Sequence, residues 1–134
     1  MIGELAGVTL RRGWLNPARQ RALLAEIAAV LEEAPPFRPT MPQSGRPFSV
    51  KMSNAGPLGW VSDRSGYRYQ PHHPETGGPP PAMPAAALEV WPALADHPAP
   101  PEGCLINLYD APATMGPPQG RYRAAPGAPG VAVL

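Results

Sequence analysis

Proline interrupts this chain so often that little of it can be helix or sheet. The 134 residues include 22 prolines and 14 glycines, about a quarter of the total, which is the edge of low-complexity composition. Proline lacks the amide hydrogen that helices and ladders require and holds φ at about −65°. Regular structure is therefore confined to the stretches between prolines. A hydrophobic fraction of 43% suffices for one domain with a modest core.

Asn16-Pro17 opens the clearest of these stretches, with a capping side chain followed by proline at the first helical position. Leu23, Leu24, Ile27, Val30 and Leu31 then recur at helical spacing, which predicts an amphipathic helix over 17–34, ended by Pro35-Pro36. Residues 5–14 begin with a short strand-like stretch. Phe48, Val50 and Met52 alternate with Ser49, Lys51 and Ser53, the periodicity of a strand. Asn54-Ala-Gly-Pro57 signals a turn, and Val61, Tyr67 and Tyr69 predict a strand returning around Ser65-Gly66. The resulting hairpin carries Trp60, Tyr67 and Tyr69 near one another. Residues 70–82 read as loop, and 83–95 as a second, proline-interrupted helix containing Leu88, Trp91 and Leu94. Cys104–Tyr109 reads as a buried strand. Beyond Pro117 only Val131-Ala-Val-Leu134 is strand-like. The class is α+β, without an internal repeat.

A formal charge of +1 gives no strong electrostatic case for a nucleic-acid partner, whose usual footprint is a basic face. The charge is uneven, however: Arg11, Arg12, Arg19 and Arg21 cluster early, and Arg64 and Arg68 sit among the aromatics. The single cysteine, Cys104, lies in an apolar run, reads as a buried small hydrophobe and allows no disulfide within the chain. No apolar stretch is long enough to span a membrane and no signal-peptide pattern opens the chain. The expectation is a cytoplasmic protein without a membrane partner.

Three groups of residues could carry chemistry. Trp60, Tyr67 and Tyr69 could hold an unstacked base between flat side chains, with Arg68 on a phosphate. Taken alone, three aromatics on a hairpin more often serve packing. Asn107 and Tyr109, two positions apart on a strand, point to the same face and could together hydrogen-bond one carboxylate. A non-haem Fe(II) centre would need two histidines and a carboxylate. The chain has only His72, His73 and His97, none of them in a His-x-Asp arrangement after Tyr109.

The segment Met52-Ser-Asn-Ala-Gly-Pro-Leu-Gly-Trp60, the following Tyr67-Arg-Tyr69 and the strand Cys104-Leu-Ile-Asn-Leu-Tyr109 resemble, in this order and spacing, the AlkB family of Fe(II)- and 2-oxoglutarate-dependent nucleic-acid demethylases. The resemblance covers residues 5–116. It implies an N-terminal helix and a nucleotide-recognition lid, followed by the first strands of an incomplete double-stranded β-helix (jelly roll). Residues 1–116 would be the AlkB-like region with the lid and first barrel strand, and 117–134 a degenerate Pro/Gly-rich tail. Trp60, Tyr67, Arg68 and Tyr69 would contact substrate; Asn107, Leu108 and Tyr109 would contact the cosubstrate, with Leu108 a mild departure from the family. The implied cofactors are Fe(II) and 2-oxoglutarate, and the implied partner is alkylated single-stranded DNA or RNA, repaired by oxidative demethylation.

The resemblance breaks at the metal. In the family a His-x-Asp motif follows the asparagine by eleven residues; here those positions are Pro118 and Gly120. The family's second metal histidine and its 2-oxoglutarate-binding arginines fall later than Leu134. A shifted reading frame in a GC-rich gene and true decay of the gene both fit this loss. The expectation is a dioxygenase relative without iron ligands, inactive alone. The alternatives are a non-catalytic single-stranded nucleic-acid-binding fragment or a non-functional remnant, and a separately encoded C-terminal half could complete it.

Overall fold

The computed structural model describes residues 2–5, 8–95, 97–110 and 131–133. Helix α1 spans Pro17–Glu33, and the Asn16 side chain accepts the Arg19 amide at 2.9 Å, the cap its position predicts. It ends at Ala34, whose N–H returns to the Val30 carbonyl before Pro35. Only Val30 of its apolar stripe is fully buried; Ile27 packs beside it, and Leu24 remains 66% exposed. Helix α2, Ala85–Leu94, tolerates Pro92 in its interior and packs against α1.

The N-terminal strand is a pair: β1, Ile2–Leu5, lies antiparallel to β2, Val8–Arg11. Strand β3, Lys51–Ala55, begins later than the alternation from Phe48 predicts. A competing bond accounts for this: the Phe48 amide bonds to the Pro39 carbonyl, whereas Met52, already within the strand, exchanges both backbone bonds with Phe37 on its other edge. Alternation holds at Ser53, which shares the helix-side face with Ile106. It is fully buried, and its hydroxyl donates to the Ala34 carbonyl at 2.7 Å. Strands β4, Gly59–Asp63, and β5, Gly66–Gln70, form the expected hairpin as a two-stranded sheet of their own.

Strand β6 spans Gly103–Leu108, so Tyr109 lies just past it. It runs antiparallel to β3 and parallel to β7, Val131–Val133, giving a sheet of order β3-β6-β7. Paired residues of β3 and β6 share a face, and each face meets its own core. Ala55, Cys104 and Ile106 pack with Val30 and Ala87 on the helix side; Met52 packs with Phe37, Val50 and Val61 on the other, joined by Trp60 and Leu105. Burial of Cys104 at 0% exposure pushes its thiol pKa up to about 11, as a small core hydrophobe should behave. No helix among the described residues is long and apolar enough to cross a membrane. The iron-motif positions 118 and 120, and most of the tail 117–134, lie outside the described residues.

Candidate functional site

The hairpin register places Trp60 opposite Tyr69 and Ser62 opposite Tyr67, so all three aromatics project from one face. Trp60 and Tyr67, diagonal neighbours across the strands, stack with ring centroids 5.6 Å apart and planes 21° from parallel. Phe48 also approaches Trp60, with ring centroids 6.2 Å apart and planes 54° from parallel. Tyr67 is 50% exposed and Tyr69 41%, while Trp60 is half-buried. An aromatic surface with one end in the core and the other in water results.

Polar bonds fix this surface. The Asn54 amide bonds both backbone groups of Trp60: its Nδ2 donates to the Trp60 carbonyl at 3.0 Å and its Oδ1 accepts the Trp60 amide at 2.9 Å. Ser62 donates to the Thr40 carbonyl at 2.6 Å. On the opposite hairpin face Arg68 forms a two-pronged pair with Asp63, at 2.8 and 2.9 Å, and its Nε donates to Gln70. Those bonds, with the Ser65 amide, hold the Asp63 carboxyl down to about 2, and they raise the Arg68 pKa. The guanidinium expected on a phosphate is thus engaged within its own hairpin, on the face away from the aromatics.

Asn107 shares the sheet face of Met52, its register partner, which places the two predicted groups against one core. Its Oδ1 is buried and has no hydrogen-bond partner among the described residues. A buried polar atom left unpaired costs about 1–3 kcal/mol, so the position calls for a group to bond it. Leu108 faces the opposite side, and Tyr109, beyond the strand end, is 55% exposed.

The histidines do not assemble a metal centre. His73 is buried, its Nδ1 accepting the Glu75 and Thr76 amides and its Nε2 bonding the Pro35 carbonyl at 2.8 Å. Since Nδ1 accepts, the proton is on Nε2; Nδ1 holds the 73–78 turn and Nε2 ties it to Pro35, so both nitrogens are used. Among the described residues no three His, Cys, Asp or Glu side chains come together as a metal site. The described donor set does not fit an iron ion.

Two residues of this site escaped the sequence reading. Asn54 stood as a turn former and Phe48 as a strand residue. The only signal for Asn54 was the glycine five residues on: Gly59 lies against the amide, and a Cβ there would sit 3.1–3.2 Å from Asn54 atoms.

Residues 7–131 match the model of the 2OG-Fe(II) oxygenase superfamily. The chain is 47% identical over 114 residues to the alpha-ketoglutarate-dependent dioxygenase AlkB homolog of Caulobacter vibrioides, covering 85% of this chain and 51% of that protein. It is 39% identical over 111 residues to the alpha-ketoglutarate-dependent dioxygenase AlkB of Escherichia coli, covering 76% and 48%. The Salmonella typhimurium protein of the same name is 40% identical over 106 residues. The chain spans about half the length of these relatives. With the match running through the helix, the aromatic hairpin and the strand of Asn107, this chain belongs to the 2OG-Fe(II) oxygenase superfamily and is similar to its AlkB members.

Proposed function

We propose that this chain is the base-recognition portion of an AlkB-type dioxygenase that removes alkyl groups from single-stranded DNA or RNA. The observation that carries the reading is the stacked, half-exposed Trp60–Tyr67 pair with Tyr69 on the same face. A base out of its stack needs flat, partly dry surfaces, and each stacked base gains about 1–3 kcal/mol on an aromatic. Trp60 and Tyr67 are already in contact, so a base lies on their outer face unless Tyr67 swings away. Arg68 braces the hairpin through Asp63 and reaches a phosphate only by leaving it. In this reading β3 and β6 are early strands of a jelly roll, the hairpin is the lid over its mouth, and the protein works in the cytoplasm.

Asn107 is the part of the described chain that faces 2-oxoglutarate in this reading, with Tyr109 at the strand end beside it and Leu108 on the other side of the sheet, and the unpaired Asn107 Oδ1 supports that role. A half-turn of an amide exchanges its donor and acceptor ends, which lets the same side chain meet a carboxylate. Fe(II) would supply the oxidising chemistry of the family, and the described donors do not group to hold it. In this reading these 134 residues bind by themselves without demethylating, because the described donors do not group to hold the iron that turnover needs.

Two measurements test this. Titrating methylated single-stranded DNA should quench tryptophan emission, and Trp60→Ala should abolish the response; no quenching at high DNA concentration sinks the binding claim. Formaldehyde release stoichiometric with 2-oxoglutarate consumption, from the chain alone with Fe(II), would overturn the claim of inactivity.

A further inference from the structure

The aromatic hairpin is not laddered to the main sheet: β4-β5 and β3-β6-β7 are separate sheets. Something else must set the hairpin's position relative to the core. Asn54 belongs to β3, where it pairs with Leu105 of β6, and it is 7% exposed. From there its amide takes both backbone groups of one residue in the neighbouring sheet, as an antiparallel strand partner would. The residue it takes is Trp60. Bonding the N–H and the C=O on either side of one Cα fixes the direction of that residue's Cα–Cβ bond, and hence of the indole.

We infer that Asn54 is a positioning residue, which sets the Trp60 ring at the angle that makes the Trp60–Tyr67 surface a base platform. The inference rests on the base-recognition reading above. Asparagine alone suits this geometry. Aspartate accepts but cannot donate to the Trp60 carbonyl, and leucine does neither. Glutamine is one methylene longer in a place where Gly59 already touches the amide. Gly59 is the second half of the device: the missing Cβ leaves room for Asn54 to reach across.

The test uses the full chain with Trp14→Phe and Trp91→Phe, leaving Trp60 as the only reporter among the three tryptophans. Affinity is measured for oligothymidylate and for an abasic strand of the same length. The reporter protein should prefer the strand with bases by about fivefold or more. Asn54→Ala should lose that preference while retaining its far-ultraviolet circular dichroism, and its Trp60 emission should shift and lose anisotropy. Asn54→Asp keeps the shape, loses the donor and adds a negative charge; the charge weakens both strands alike, so the ratio between them decides the matter should the alanine variant fail to fold. Gly59→Ala, which crowds the amide, should act in the same direction. Preference and emission unchanged in Asn54→Asp would overturn the inference and leave the base-recognition reading standing. No preference in the reporter protein itself would overturn that reading and the platform role with it.

Discussion

Asn54 and Asn107 lie on the same face of one strand pair, two residues either side of the ladder's Met52 and Leu105, and they end differently. Asn54 is paired at both ends of its amide with the Trp60 backbone. Asn107, opposite Met52, leaves a buried oxygen with no partner among the described residues. The contrast separates two kinds of polar residue in a core. One is a structural part whose bonding is complete when the chain folds. The other bears a cost of about 1–3 kcal/mol that folding of the described residues does not recover, which is the condition of a group that meets a ligand or another segment. Asn54 is buried and Asn107 half-buried, but it is the hydrogen-bond inventory that separates their roles.

Met52 supports both. It is 1% exposed, packs with Phe37, Val50 and Val61, and joins the core under Trp60. Met52→Ala should therefore give the largest effect, a loss of about 2–5 kcal/mol in urea denaturation, with the Trp60 environment disturbed at the same time. A loss under 1 kcal/mol would show that the two asparagines do not share a floor.

The asparagines themselves should diverge under the same substitution. Asn54→Leu removes two bonds and strands the Trp60 N–H and C=O, so a loss of about 2–3 kcal/mol is expected. Asn107→Leu removes the unpaired Oδ1 in favour of an apolar group of similar size and should be neutral or stabilising by about 1 kcal/mol. Equal losses at the two positions would erase the comparison. The comparison sharpens with ligand: 2-oxoglutarate should raise the melting temperature of the unsubstituted chain and not that of Asn107→Leu. A shift that survives the substitution places Asn107 outside the cosubstrate site.

Local signals carried the elements with local causes. The Asn16 cap, Pro17 and the Pro35 stop define α1, and Ser65-Gly66 defines the hairpin turn, because each acts over three or four residues. The start of β3 was not legible, because it depends on the Pro39 carbonyl taking the Phe48 amide that the alternation would have used in a ladder. The burial of the Ser53 hydroxyl was not legible either, because its acceptor, the Ala34 carbonyl, is nineteen positions away. The aromatic trio was legible as a hairpin face, since register follows from the turn. The dependence of Trp60 on Asn54 was not, because a bond between sheets has no periodicity to reveal it. Arg68 shows the same limit in reverse: its place beside two tyrosines suggested a phosphate, whereas strand alternation turns it to the other face, where Asp63 waits.

That ion pair gives the smallest effect and the sharpest pH signature. Asp63 and Arg68 are both well exposed, 44% and 37% by side chain, so water and salt screen their attraction. The Asp63 carboxyl is nevertheless lowered from 3.8 to about 2. A carboxyl whose folded pKa lies below its unfolded value adds stability that is fully present above pH 3.8 and disappears as pH falls through about 2. Asp63→Asn should therefore cost little at pH 7, less than Met52→Ala or Asn54→Leu, with the difference shrinking below pH 3.8 and closing as pH falls below about 2. Hairpin stability can be followed through the Trp60–Tyr67 stack by near-ultraviolet circular dichroism. If Asp63→Asn instead weakens binding of an abasic strand at pH 7 while the stack is unchanged, Arg68 is a phosphate contact that Asp63 only aims. If it strengthens that binding, the pair is a restraint that competes with phosphate for the guanidinium. In both cases the hairpin's charged face is tied to function independently of its aromatic one. An unchanged affinity leaves the pair as a brace alone, as its bonds to Asp63 and Gln70 already describe.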